Sequence, residues 1–102
     1  MTVIAVFEVR LLPDADADAR ARYAEYKARV APMIEAAGGR YLLRAALGET
    51  LDGDATGDAD RRWHVIEFPS ADAARAFWSN DDYAEIVPLR EGAVEVRAVV
   101  LG

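Results

Sequence analysis

His64 is the one imidazole in the chain, and so the one side chain whose ordinary pKa suits proton transfer near neutrality. Cysteine is absent, which removes thiolate nucleophiles, disulfides and cysteine-based metal sites. No serine stands beside an evident acid partner. Tyr23, Tyr26, Tyr41, Phe77, Trp78 and Tyr83 can line an apolar cavity in which phenol and indole groups orient a ligand. The plainer reading is that aromatic residues at helical spacing are core. Arg40, Arg44 and Glu67, with Glu8, Glu95 and Arg97, can form a charge cluster, because guanidinium forks grip carboxylates with two parallel hydrogen bonds. Their signs nearly cancel, which favours ion pairs over a site for an anionic ligand. Asp52, Asp54, Thr56, Gly57 and Asp60 follow the spacing of a calcium loop, but Trp63 stands where that loop needs a bidentate carboxylate. The expectation is a solvated acidic turn and no metal site.

The elements that must position these residues are legible as changes of period. Val3, Ala5, Phe7, Val9 and Leu11 share one parity and Ile4, Val6, Glu8 and Arg10 the other, as in a strand. Pro13 ends it, and the Asp14, Asp16, Asp18 run suits the free N–H groups at a helix N-terminus. Tyr23, Tyr26, Val30, Met33, Ile34 and Ala37 then recur at helical steps until Gly38-Gly39, with Pro32 expected to kink the helix. A second strand runs from Arg40 to Leu47, followed by a polar loop from Gly48 to Arg61. Trp63 to Phe68 reads as a third strand closed by Pro69. Ser70 caps a helix through Ala74, Phe77 and Trp78; Asn80 caps a further short turn; Ala93 to Leu101 alternates again. His64 shares its parity with Ile66 and Phe68, which places it on the helix side of the sheet.

A length of 102 residues suits one domain, 1–102, since halves would be too small to bury a core unaided. Hydrophobic residues make up 53% of the chain against 29% charged, enough to fold. A formal charge of −6 disfavours nucleic acid and anionic membrane as partners. Small molecules and other proteins remain. No segment is apolar and long enough for a bilayer span, so a cytoplasmic protein is expected. Lys27 is the only lysine, which reads as compositional bias toward arginine.

The order βαββαβ, with right-handed crossovers, leaves the α+β ferredoxin-like sandwich with the first and third strands central. The parity of Ala5, Phe7, Leu43, Ile66, Phe68, Val94 and Val96 is apolar and belongs under the helices. The other parity mixes Ile4, Val6, Leu42, Val65, Val99 and Leu101 with Glu8, Arg40, Arg44, Glu67, Glu95 and Arg97. Two helices cannot cover both faces of one sheet, so a homodimer closed through the mixed face is expected.

The segments Tyr23-Ala24-Glu25-Tyr26, Gly38-Gly39-Arg40-Tyr41-Leu42-Leu43-Arg44 and Ile66-Glu67-Phe68-Pro69-Ser70, with Ala73-Ala74-Arg75-Ala76-Phe77-Trp78, Tyr83 and Pro88-Leu89-Arg90, resemble the DUF1330 family of small domains of unknown function. The resemblance implies a dimeric α+β barrel whose interior is the mixed face. The chain departs from the family in its loop, where Leu51-Asp52-Gly53-Asp54 is followed by an acidic insertion to Asp60. Relatives by architecture include isomerases and monooxygenases that use side chains only. The expectation is therefore a small-molecule-binding protein or a cofactor-independent enzyme, with no cofactor; the competing reading is a non-catalytic interaction or stress-response dimer. The candidate catalytic residue is His64, a neutral base kept uncharged by an apolar cleft. Tyr23, Tyr26, Trp78 and Tyr83 are the candidate ligand contacts, and Arg40, Arg44 and Glu67 the interface charges.

Overall fold

A computed structural model describes residues 1–102. The elements run β1 (Val3–Leu11), α1 (Ala17–Ala36), β2 (Arg40–Ala46), β3 (Arg61–Phe68), α2 (Ala71–Trp78), α3 (Asp81–Ile86) and β4 (Val94–Leu101), with short 3₁₀ turns at Asp58–Asp60 and Val87–Arg90. The sheet order is β2-β3-β1-β4 with every neighbouring pair antiparallel. This is the α+β ferredoxin-like arrangement, with β1 and β3 in the middle.

Local chemistry sets the helix ends. Asp16 accepts a hydrogen bond from the Ala19 N–H at 2.8 Å, Ser70 from Ala73 at 3.0 Å and Asn80 from Asp82 at 2.7 Å, each side chain satisfying a donor that its helix leaves free. At the far end of α1, Gly38 adopts φ +85°, and Gly38 and Gly39 donate back to the Glu35 and Ile34 carbonyls. Gly39 is also required by space: a Cβ there would meet Ile34 Cγ2 at 2.6 Å. Pro32 lies inside the helix, which continues through it to Ala36.

The core lies between the helices and one sheet face. Tyr26, Val30 and Ile34 form the buried stripe of α1, facing Ala5, Phe7, Ile66 and Phe68 from the central strands, while Phe77, Tyr83 and Ile86 close the α2–α3 end. Full burial of one such side chain contributes about 1.5–3 kcal/mol.

The opposite face of the sheet carries no helix. Val6 sits at its centre, opposite Val65 on one side and Val99 on the other, flanked by Ile4, Leu42 and Leu101. Most of its charges pair within the chain, Arg10 with Glu95 at 2.6 Å, Arg40 with Glu67 at 3.2 Å and Arg61 with Glu8 at 3.0 Å, while Arg97 is in no ion pair. The Arg61 Nε is buried and lies too far off line with Glu8 to hydrogen-bond, so that pair is held by charge.

Two expected placements are overturned in β2. Leu43 pairs with Val65 and is 53% exposed on the uncovered face, not under the helices. Arg44, expected on the uncovered face with Glu67, turns to the helix side, and Arg40 is the residue that pairs with Glu67. The cause is a break in the β2–β3 register between Tyr41 and Leu43 and again between Leu43 and Ala46. An extra residue in one strand reverses the parity of all that follow. Ala45 carries the distortion, at φ +53°.

Candidate functional site

Between α1 and the sheet lies a cavity of about 480 Å³, lined by twelve residues of which nine are hydrophobic. Phe7 and Val9 of β1, Val96 of β4 and Val30 and Ile34 of α1 form its apolar body; Tyr23, Tyr26 and Tyr41 wall it; Lys27, Arg44 and His64 are its only other polar residues. No carboxylate lines it. The size and lining are those of small-molecule sites in general.

The elements deliver these groups for separate reasons. Tyr23, Tyr26, Lys27 and Val30 follow the three- and four-residue steps of one helix face, with Tyr23 and Tyr26 stacked at 6.0 Å and the Lys27 ammonium 4.9 Å from the Tyr23 ring centroid. His64 lies opposite Phe7 in the β1–β3 register and meets the Phe7 and Tyr41 rings edge-on at 6.4 and 6.1 Å. The Arg44 guanidinium sits 5.0 Å from the Tyr41 ring centroid. The β2 irregularity therefore brings Arg44 to the cavity wall, as bulges beside binding sites commonly do.

The same irregularity determines the state of His64. The Ala45 N–H donates to His64 Nδ1 at 3.2 Å. With that lone pair occupied, the neutral ring carries its proton on Nε2 and offers a donor rather than a base. Burial first, and then the Arg44 and Lys27 charges, lower the His64 pKa below its ordinary value, so the ring is neutral at pH 7. Neutrality is what an apolar cleft imposes on an imidazole; the engaged second ring nitrogen is what changes the role.

Tyr26 is held from behind. Its hydroxyl lies 3.0 Å from the Tyr83 hydroxyl, and Arg90 donates to both, at 3.3 and 2.9 Å. Burial pushes the Tyr26 phenol far up, and burial also raises Tyr23 and Tyr41, so all three remain protonated. Every polar group facing the cavity is thus a hydrogen-bond donor or a cation.

Of the candidate ligand contacts, Tyr23 and Tyr26 line the cavity together with the candidate catalytic residue His64, joined by Tyr41. Tyr83 acts through Tyr26 and lines a separate, smaller recess. Trp78 packs against Phe7, Phe68 and Phe77 in the core and does not line the cavity. Arg40 and Glu67 form an ion pair on the uncovered face. Lys27 was missed as a wall residue, although it follows Tyr23 by four on the tyrosine face of the helix. Arg44 had no comparable signal, because period-two counting assumes an unbroken strand. In the loop, Asp58 accepts from the Thr50 N–H and hydroxyl, both at 2.9 Å, and Asp54 from Thr56 at 2.9 Å. No three potential metal ligands gather there or elsewhere.

A ferredoxin-like sheet with one helix-covered face, one bare face and a donor-lined cavity defines the class of small α+β barrel-forming domains. Within that class the chain belongs to the DUF1330 family, whose model, a domain of unknown function, matches residues 11–102. Among solved structures, the methylated RPA0582 protein of Rhodopseudomonas palustris is 27% identical, with a TM-score of 0.74 over 98% of this chain and 78% of that one. A dimeric ferredoxin-like protein of unknown function from Thermobifida fusca is 14% identical, with a TM-score of 0.64 over 100% of this chain and 91% of its own. SnoaB, a cofactor-independent oxygenase from Streptomyces nogalater, is also 14% identical, with a TM-score of 0.61 over 99% and 91%. At these identities the last two show the fold alone. No curated protein matches the chain. No helix is long and apolar enough to cross a membrane.

Proposed function

We propose that this chain is a small-molecule-binding protein of the dimeric α+β barrel type that holds an apolar ligand beneath α1 and acts on it without a cofactor, in the manner of side-chain-only isomerases and monooxygenases. The observation that carries the reading is the cavity itself: about 480 Å³, nine of its twelve lining residues hydrophobic, with His64 in the wall. His64 serves there as an Nε2–H donor to an oxygen on which negative charge develops, a role that a neutral imidazole fills at pH 7. Tyr26, anchored by Tyr83 and Arg90, orients the ligand. The working form is a cytoplasmic homodimer closed through the bare sheet face. The apolar centre of that face and its three internal ion pairs support this reading, as does the dimeric character of the Thermobifida protein.

A second reading, a non-catalytic binding dimer, is favoured by one specific feature: no group lining the cavity is free to act as a base. The two are separated by a thermal-shift ligand screen, then NMR titration of the His64 imidazole with and without the best hit, then mass analysis of that hit after incubation. Conversion that disappears in His64→Ala while the dimer persists supports the enzyme. A hit that shifts the imidazole and is recovered intact supports the binding protein. If no hit perturbs the imidazole and His64→Ala binds all of them equally, the cavity is not the site.

A further inference from the structure

We infer that the ligand of this cavity is an apolar carboxylic acid bound as its anion, with the carboxylate held at the mouth by Lys27 and Arg44 and the hydrocarbon or aromatic body laid against Phe7, Val9 and Val96. The inference rests on the cavity being the binding site and names the chemical class that fits it.

Charge is the first ground. The protein as a whole carries −6, yet the charged residues lining the cavity are one lysine and one arginine, with no aspartate or glutamate among them. Six ion pairs elsewhere in the chain take up Arg10, Arg29, Arg40, Arg61 and Arg75; Lys27 and Arg44 are in none of them, nor are Arg20, Arg22, Arg62, Arg90 and Arg97, but of these seven only Lys27 and Arg44 line the cavity. Glu35, the carboxylate whose field reaches Tyr41, is exposed on α1 and outside the lining. In a chain with eighteen acidic residues against twelve basic, two cations facing one apolar cavity without a counter-charge call for an anion from outside.

Positioning is the second ground. Each cation rests over the ring of a wall tyrosine, Lys27 at 4.9 Å from Tyr23 and Arg44 at 5.0 Å from Tyr41, on opposite walls of the cavity. A cation over an aromatic face is held without losing its outward donors. Arg44 reaches its place only because the β2 register breaks, at the cost of a non-glycine residue at positive φ. That same break points the Ala45 N–H at His64 Nδ1 and leaves Nε2–H as the ring's donor.

The third ground is what the cavity lacks. A neutral ligand rich in donors would need acceptors, and the polar groups here are an ammonium, a guanidinium, an imidazole whose acceptor is already engaged and phenols, whose oxygens are the only side-chain acceptors left, so donors outnumber acceptors. An anion with two acceptor oxygens matches donors of this kind, and an apolar body matches the rest of the lining.

The test compares acids with their uncharged isosteres on the full-length protein, using 3-phenylpropanoate and decanoate against 3-phenylpropanamide and decanamide, by calorimetry and by NMR shifts at His64 and Val96. The acids are expected to bind more tightly than the amides. Lys27→Ala and Arg44→Ala should each weaken the acids roughly tenfold, the scale of one charge-assisted hydrogen bond, and leave the amides unchanged. Arg44→Lys should recover part of the loss. Arg75→Ala, on α2 and outside both the cavity lining and the bare face, removes the same charge and should change nothing, which separates a local clamp from net charge. Both substituted positions are solvent-exposed, and unchanged thermal unfolding verifies the fold of each variant. If the amides bind as tightly as the acids and shift the same signals, the carboxylate inference is overturned and the binding cavity stands. Equal weakening by Arg75→Ala and Arg44→Ala also overturns it. If neither acids nor amides move the His64 and Val96 signals, the cavity reading falls with it.

Discussion

The bare sheet face and the cavity under α1 both bring arginine side chains to apolar surface, and they treat the charge in opposite ways. On the bare face Arg10, Arg40 and Arg61 each have a glutamate within 2.6 to 3.2 Å. At the cavity Arg44 and Lys27 have tyrosine rings instead of carboxylates. A surface destined to be covered by protein must neutralise its charges first, because a desolvated, unpaired ion costs several kcal/mol. A site that captures an anion must keep its cations available. If the bare face is the dimer seam and the cavity the binding site, as proposed, pairing separates the two surfaces although both hold the same residue types, with Arg97 on the bare face the one exception.

The largest effect that tests this contrast is expected on the bare face. Val6 lies at its centre between Val65 and Val99, so Val6→Asp introduces a carboxylate with no partner and should cost about 3–5 kcal/mol if the face is buried in the proposed dimer. Light scattering should show loss of the dimer or, failing that, the variant should unfold. An unchanged mass and melting temperature would mean that this face meets water.

A smaller effect separates the ion pairs themselves. Glu8 and Arg61 are 28% and 23% exposed, Glu67 and Arg40 34% and 71%, so Glu8→Ala should destabilise more than Glu67→Ala. A double-mutant cycle on Arg40 and Glu67 in the monomeric Val6→Asp background, if that variant remains folded, should give a coupling of about 0.2–1 kcal/mol, the range of exposed pairs. The corresponding cycle on Arg44 and Glu67 should give none. Coupling between Arg44 and Glu67 would return Arg44 to the bare face.

Ala45 at φ +53° stores strain that glycine does not feel. Relief of about 1–2 kcal/mol, offset by about 0.5–1 kcal/mol of added chain entropy in the unfolded state, makes Ala45→Gly neutral to stabilising by about 1 kcal/mol. The slight gain should be visible in urea unfolding. A clear loss of stability would show that the register of β2 depends on the alanine methyl.

The pH dependence of His64 is the finest probe. Its folded pKa lies below the unfolded value of about 6.5, so the unfolded chain takes up the proton first as pH falls. Stability is full above that value and declines as pH drops through it toward the folded pKa. Melting temperatures between pH 7.5 and 5.5 should fall slightly for the native chain and be flatter for His64→Gln. Bound carboxylate should raise the imidazole pKa by placing negative charge beside it; a neutral amide should not.

Much of the architecture was legible in the residues themselves. The alternation in Val3–Leu11, the capping residues Asp16, Ser70 and Asn80, and the diglycine after α1 are local signals, each read over a few residues and each satisfied by local hydrogen bonds. The parity of His64 and the aromatic stripe of α1 followed from the same periods, and they place three of the cavity's polar residues correctly. What the periods could not supply was the break in β2. Whether a strand slips by one residue depends on its partner strand and on the space beneath the helix, neither of which is local. That slip moved Leu43 out to the bare face, carried Arg44 into the cavity and occupied His64 Nδ1, turning an expected base into a donor. Trp78 went to the core for a related reason: helical spacing gives the face, but the neighbour that the face meets is decided only when α2 docks against Phe68 and Phe7. By itself the sequence determined which elements form and which of their sides are apolar, because those properties are summed over neighbouring residues. Only the tertiary structure decided which polar atoms remain unpartnered around the cavity, because pairing is settled between residues distant in the chain.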